Sequence, residues 1–175
     1  INLLVEMVYD SIKAEKPWVK FGISPFGIWK NQSSDPEGSA TAGFESYYGI
    51  YADSKKWMEE GWLDYMNPQI YWNIGYPAAA FDVLVNWWNN KAYGRHVYAG
   101  HAAYKIGNGS QSQVWLEPDQ MPKQIRMTRG LPNVYGSVFF SSKSVTNNPL
   151  GFQDSLRSHL YNYPALVPEM NWIDS

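Results

Sequence analysis

A chain of 175 residues with 45% apolar side chains is long enough to close one globular core, and this composition excludes a disordered or fibrous protein. Its 14 basic and 16 acidic side chains are scattered and leave a formal net charge of -2, so neither nucleic acid nor an anionic membrane is expected as a partner. Cysteine is absent, which excludes disulfides and thiolate metal sites, and no apolar run approaches the ~18–20 residues that a spanning helix needs.

Residues 2–16 read as a helix, because Leu4, Val8 and Ile12 recur at four-residue spacing with Val5 beside them while Glu6, Lys13 and Glu15 face outward. Pro17 stops it. The chain thus begins at Ile1 inside an amphipathic pattern, as a piece of a longer product would. In 19–26, Val19, Phe21 and Ile23 alternate with Lys20, Gly22 and Ser24, a strand pattern closed by Pro25 and Gly27. The segment 28–49 has little periodicity, and a loop of that length inside a compact domain tends to be functional. A helix over 50–61 follows, with Asp53 or Ser54 as its cap and Gly61 as its stop.

Residues 64–72, DYMNPQIYW, form the most informative stretch. Strand alternation puts Tyr65, Asn67, Gln69 and Tyr71 on one face and Met66, Ile70 and Trp72 on the other. An amide and a phenol near the end of a strand suggest a ligand pocket, since a strand buried on both faces is normally all aliphatic. Pro68 cannot donate to a ladder, so a bulge or an uneven strand end is expected there.

Beyond it, Phe81, Leu84, Val85 and Trp88 form a helical stripe that begins after Pro77 and ends near Gly94. A strand over 95–104, a polar loop over 105–113, a helix from Pro118 carrying Met121 and Ile125, and a strand over 134–141 come next. Asn148 before Pro149 signals a last helix with Phe152, Leu156 and Leu160, and 161–175 reads as a tail leading to a missing module. A helix followed by strand–helix repeats predicts an α/β fold of four βα units with parallel strands. The leading helix has no strand before it, which favours residues 1–160 as part of a barrel cut in the middle. No glycine-rich dinucleotide or P-loop motif follows a strand, His96, His101 and His159 lack metal spacing, and no cofactor is expected.

FGISPFGIWKN, YADSKKWMEEGWLDYMNPQIYW, VYAGHAAYKIG and GSVFFSS, in that order, resemble the glycosyl-hydrolase-like proteins of bacterial envelopes, which include glycosidases of denuded peptidoglycan glycan. The resemblance covers nearly the whole chain. It implies the C-terminal half of a TIM (β/α)8 barrel and a glycoside hydrolase-like function on a bacterial or dietary glycan, peptidoglycan glycan among them. It also implies a cell-envelope or extracellular protein, periplasmic or a surface lipoprotein. In that family the first half of the barrel carries a strand ending in paired aspartates and a tyrosine, and no such segment occurs here. The missing N-terminal half, or a second copy in a homo-oligomer, is expected to cover the open sheet edges.

Glycoside hydrolysis usually takes two carboxyl groups, about 5 Å apart for retention or roughly 6.5–9.5 Å for inversion. Barrel active sites gather where strands end. The strand ends here supply Ser24, Trp29, Asn31, Gln69, Tyr71, Trp72, His101, Tyr104 and Ser141, none of them a carboxylate. Trp29, Asn31, Gln69, Tyr71, Trp72, His101 and Tyr104 are the candidate substrate-binding residues. Trp72, by parity, suits helix packing as well as stacking, and His101 suits a buried hydrogen-bonded site as well as a substrate contact. The catalytic acids are not identified; Asp35, Glu37 and Glu45 in the long loop are the nearest, each equally at home in solvent. Asp64 starts its strand and reads as structural, and Asp53 as a helix cap. By itself the chain should be inactive. A non-catalytic carbohydrate-binding unit is the alternative, and a fragment whose aromatics are all core is a third reading.

Overall fold

The computed structural model describes residues 1–173 and shows a four-stranded parallel sheet in the order β1-β2-β3-β4. Helix α1 (Asn2–Glu15) precedes β1 (Gly22–Ile23), and α2 (Ser46–Ile50) and α3 (Ser54–Glu59) connect it to β2 (Tyr65–Met66). Helix α4 (Phe81–Asn90) leads to β3 (His96–His101), and α5 (Gln120–Arg129) to β4 (Val134–Phe139). The short helices α6 (Ser142–Thr146) and α7 (Phe152–Ser155) follow. Each crossover returns the chain to the same end of the sheet, so the expected run of βα units is what forms.

Several bounds differ from the sequence pattern for local reasons. The helix expected over 50–61 is two, because Tyr51 takes a left-handed φ of 57° between α2 and α3. Asp53 sits at the N-cap of α3, but its carboxylate accepts from the Trp29 indole at 2.8 Å instead of capping the helix. In α1, Val5 is buried while Leu4 stays 61% exposed together with Leu3, Met7 and the preceding Ile1, since nothing among the described residues covers that side. The chain after 160 does not simply lead away: Met170 is buried, and Trp172 packs edge-on against His96 beneath the sheet.

The chain keeps its register against β3 across Pro68, although regular strand β2 stops at Met66. The ladder between β2 and β3 runs His96 N–H to Asp64 O, Gly100 N–H to Pro68 O and Ile70 N–H to Gly100 O. In that register the amide of residue 68 would serve the carbonyl of Tyr98, and a proline has none to give. The Asn67 side chain fills the gap, donating to Tyr98 O at 2.8 Å. No bulge is needed. Gly100 completes the arrangement, because a Cβ there would stand 2.6 Å from the Pro68 carbonyl oxygen.

At the N-terminal end of β2, Asp64 is fully buried and both of its carboxylate oxygens are hydrogen-bonded. It accepts from Phe21 N–H at 2.7 Å, from the Lys13 ammonium at 2.8 Å and from the Trp172 indole at 3.0 Å. Lys13 therefore turns under the sheet rather than out to solvent. Helix α1 is tied a second time, by the Trp57 indole on Asn2 Oδ1 at 2.8 Å. One apolar core, built on Met58, Met66, Phe81 and Trp88, fills the space between the sheet and α3 and α4. A second, built on Trp115, Ile125 and Phe152, lies under the ends of β3 and β4.

Two predictions follow from these contacts. Asp64→Ala leaves a half-buried ammonium, an amide and an indole without their acceptor and should cost roughly 3 kcal/mol in urea unfolding. Asn67→Ala should cost about 1 kcal/mol, and less in a Pro68→Ala background where the backbone supplies the missing donor, which a double-mutant cycle measures.

Candidate functional site

Strand pairing sorts the side chains into two faces. Phe26 pairs with Gln69, Gln69 with Gly100 and Gly100 with Val138, so these residues share the face away from the helices. Ala99, His101, Ser137 and Phe139 alternate onto the helix side. The helix-free face and the C-terminal strand ends are where a βα architecture builds its site.

Gln69 and Tyr71, expected to meet over one hollow, extend to opposite sides of the rim. The Gln69 amide reaches toward β1 and donates to Ser24 O at 2.9 Å. The Tyr71 ring turns toward β3 and β4, stacked on Phe140 at 6.2 Å and 28° and edge-on to Tyr104 at 6.1 Å. Tyr104 and Phe140 close the triangle at 6.0 Å. Their backbones are joined as well, Tyr104 N–H donating to Phe140 O at 3.2 Å. The ends of three strands thus bring three rings together. Phe140 is 59% and Tyr104 46% exposed, leaving ring surface open to a ligand. Burial pushes both phenols above the usual tyrosine value, so near neutral pH each keeps the proton it donates. Phe140 was not among the sequence candidates, although it continues the alternation of Gly136 and Val138 along β4.

Lys105, also not picked out in the sequence, lies 5.8 Å from the Tyr104 ring centre and 5.9 Å from that of the buried Trp115. Its ammonium donates to Tyr71 O at 2.6 Å, and burial holds its pKa below the usual lysine value.

Four other candidates are placed elsewhere. Trp29 is 5% exposed, stacked on Trp87 at 6.0 Å with its indole N–H on Asp53, so no ring face is left for a sugar. The Asn31 side chain fastens the long loop, accepting from Thr41 Oγ1 at 2.8 Å and donating to Gly43 O at 2.9 Å. Trp72 packs on the first core, the helix-facing outcome of its parity. His101 is fully buried on the helix side between Phe81 and Phe139. Its Nδ1 is 2.9 Å from Gln124 Oε1 and its Nε2 3.0 Å from Ser137 Oγ, so both nitrogens are occupied.

The loop acids are also committed. Asp35 is held below the usual carboxylate range, chiefly by the hydrogen bond from Lys30. Glu37 is lowered by Lys91 and then Lys55, on the flank where α3 and α4 adjoin. Glu45 accepts from Asn31 N–H at 2.8 Å and from Ser34 Oγ at 3.1 Å. A glycosidase acid needs a raised pKa, and the ion pairs of Asp35 and Glu37 work in the opposite direction.

A family profile described as glycosyl hydrolase-like 10 matches residues 1–117, and the chain belongs to that family. It is 51% identical to the "Glycosyl hydrolase YngK" of Bacillus subtilis (strain 168), an alignment that takes in 100% of this chain and 35% of that protein. It is 40% identical to the "Glycosyl hydrolase DigH" of Escherichia coli (strain K12), over 78% of this chain and 33% of that one. The chain therefore spans about a third of the length of these relatives.

The environment of His101 gives a pH dependence. Burial pushes its pKa down to about 4 from 6.5, with the Gln124 contact opposing weakly. The unfolded chain therefore takes up this proton first as pH falls. Stability is full above about pH 6.5 and is lost progressively toward pH 4, by about 3 kcal/mol in total. His96, lowered chiefly by burial, acts in the same direction. Urea midpoints measured across this range should fall less steeply for His101→Gln than for the parent.

Proposed function

We propose that the protein is a glycoside hydrolase acting on a bacterial or dietary glycan, peptidoglycan glycan among them, and that this chain supplies its substrate-binding part. The observation that carries the reading is the triangle of Tyr71, Tyr104 and Phe140, contributed by three successive strand ends. Rings of this kind offer apolar faces to the C–H faces of pyranoses, and phenol and amide groups orient the hydroxyls. The acids come from the rest of a longer protein, completing a barrel of which these four strands are half. Its place is the cell envelope or the extracellular space. The exposed Ile1, Leu3, Leu4 and Met7 of α1 are the surface that the remaining part covers.

A second reading, a non-catalytic carbohydrate-binding unit, is favoured by the engagement of Asp35, Glu37 and Glu45 in local ion pairs and hydrogen bonds. Hydrolysis by the full-length protein separates the two. Activity that survives replacement of all three loop acids supports the hydrolase reading with acids elsewhere, and binding without turnover supports the second.

Replacing Tyr104 or Phe140 with Ala in the full-length protein should weaken oligosaccharide binding by about tenfold each, the scale of a central aromatic contact. Titration calorimetry measures this. Unchanged affinity in both variants contradicts the site. Residues 1–175 prepared alone should self-associate in light scattering, because both sheet edges are bare; a stable monomer contradicts the proposed covering of those edges.

A further inference from the structure

Residues 161–173 cross the N-terminal ends of the strands from β4 toward β1, and few contacts hold them there. The segment starts at Tyr161, whose ring centre lies 4.9 Å from the Arg129 guanidinium, and reaches Trp18 and Lys20 ahead of β1. Cavities of about 510 Å³ each lie between it and Tyr98 and Tyr135 on one side and Trp18 and Lys20 on the other. Tyr163, Leu166 and Val167 are exposed, and Met170 is 5% exposed. Among the described residues, the one hydrogen bond joining 162–173 to the rest of the chain runs from the Trp172 indole to Asp64 Oδ1, at 3.0 Å. A segment with so little buried contact opens far more easily than the domain unfolds, so whatever holds Met170 and Trp172 holds all of it.

Trp172 stands edge-on to His96, ring centres 5.1 Å apart at 90°, with the Arg95 guanidinium 4.8 Å from its own ring centre. His96 is 2% exposed and stacked on Tyr135 at 3.6 Å, and its Nδ1 has no hydrogen-bond partner among the described residues. Protonation makes both ring nitrogens N–H donors and adds a charge, so Nδ1 becomes a buried cationic donor without an acceptor. The surrounding charges offer no relief. Lys20 ahead of β1 and Arg95 beside it in sequence are cations, and Tyr65, its register partner on β2, brings a phenol, as do Tyr98 and Tyr135. The Asp64 carboxylate, ahead of β2, is engaged by Lys13, by the Phe21 amide and by Trp172 itself. Burial, and then the charge of Lys20, hold the His96 pKa below the usual histidine value.

We propose that 161–173 is an acid-released strap across the foot of the sheet: protonation of His96 lifts Trp172 and Met170 away, and the rest of the segment follows. Water then reaches Nδ1 and solvates the imidazolium. The Tyr135 stack is made within the sheet and is present with the strap down or lifted, so it does not oppose release. Linkage gives the direction. A histidine whose pKa is depressed under the strap and returns to about 6.5 once uncovered binds its proton more tightly in the open state, so opening is favoured as pH falls below that value. Above it the strap stays down. The device does not depend on what the strand-end rim binds.

Hydroxyl-radical footprinting of the full-length protein at pH 7.5 and pH 5, read by mass spectrometry at Met170, tests this. Between these two conditions histidines titrate and ordinary carboxylates do not. Met170 oxidation should rise about tenfold at pH 5, while Met58 and Met66, fully buried in the first core, stay protected. His96→Phe keeps a ring against Tyr135 without a titrating group and should abolish the rise. Trp172→Ala should leave Met170 reactive at both pH values, and continued protection there overturns the role of Trp172 as anchor. Equal protection of Met170 at pH 7.5 and pH 5 in the unmodified protein overturns the proposal. So does exposure of Met170 only together with Met58 and Met66, or a rise that persists in His96→Phe. If His96→Phe does not fold, His96→Gln takes its place, and the order in which Met170 and Met66 become reactive in the unmodified protein decides by itself.

Discussion

The buried carboxylate of Asp64 is the constraint on which the arrangement of this chain depends. It accepts from Lys13 at the end of α1, from the backbone of Phe21 ahead of β1 and from Trp172 in the tail, while its own carbonyl receives the amide of His96 at the start of β3. Pieces of chain far apart in sequence are thereby brought to one level beneath the sheet. Three donors reach the two carboxylate oxygens, two on Oδ2 and one on Oδ1, so the buried charge is hydrogen-bonded at both atoms. With the N-terminal ends fixed, the register of the parallel strands is fixed too, and so is the height at which Gln69, Tyr104 and Phe140 emerge at the other end.

Between those two ends the sheet tolerates a proline in a central strand because a neighbouring amide stands in for the lost donor. Asn67 serves the carbonyl of Tyr98, and beyond the end of β2 the pairing with β3 resumes in the same register at Gln69 and Ile70. That continuity is what delivers Tyr71 to the rim. The two ends thus have different chemistries: a polar knot around a buried carboxylate at the bottom, and aromatic rings with exposed surface at the top.

Much of this architecture is legible in the residues themselves. The alternation through 64–72 separates Met66 and Ile70, which are buried, from Tyr65, Asn67, Gln69 and Tyr71, which are half-buried. The helical stripe of Phe81, Leu84, Val85 and Trp88 is the buried face of α4. The site was less legible, because position along a strand says how near a residue is to the rim but not which way it points. His101 ends β3, yet it shares a face with Val97 and Ala99 and so turns toward the helices. Trp29 follows β1, but its faces are claimed by Trp87 and by the cations of Lys30 and Lys55, partners that no local pattern announces. Asn31 and the loop acids look free in sequence because the ion pairs and turns that engage them form only when the loop lies along α3 and α4. Phe140 and Lys105 were overlooked for the converse reason, one hidden in an ordinary strand pattern and the other in a polar loop.

A crystal structure of the full-length protein with a bound oligosaccharide tests the central claim most directly. The account predicts a pyranose ring in van der Waals contact with Tyr104 and Phe140 at the C-terminal ends of β3 and β4. A glycan bound away from these rings, or rings covered by the protein's own remaining chain, would contradict it.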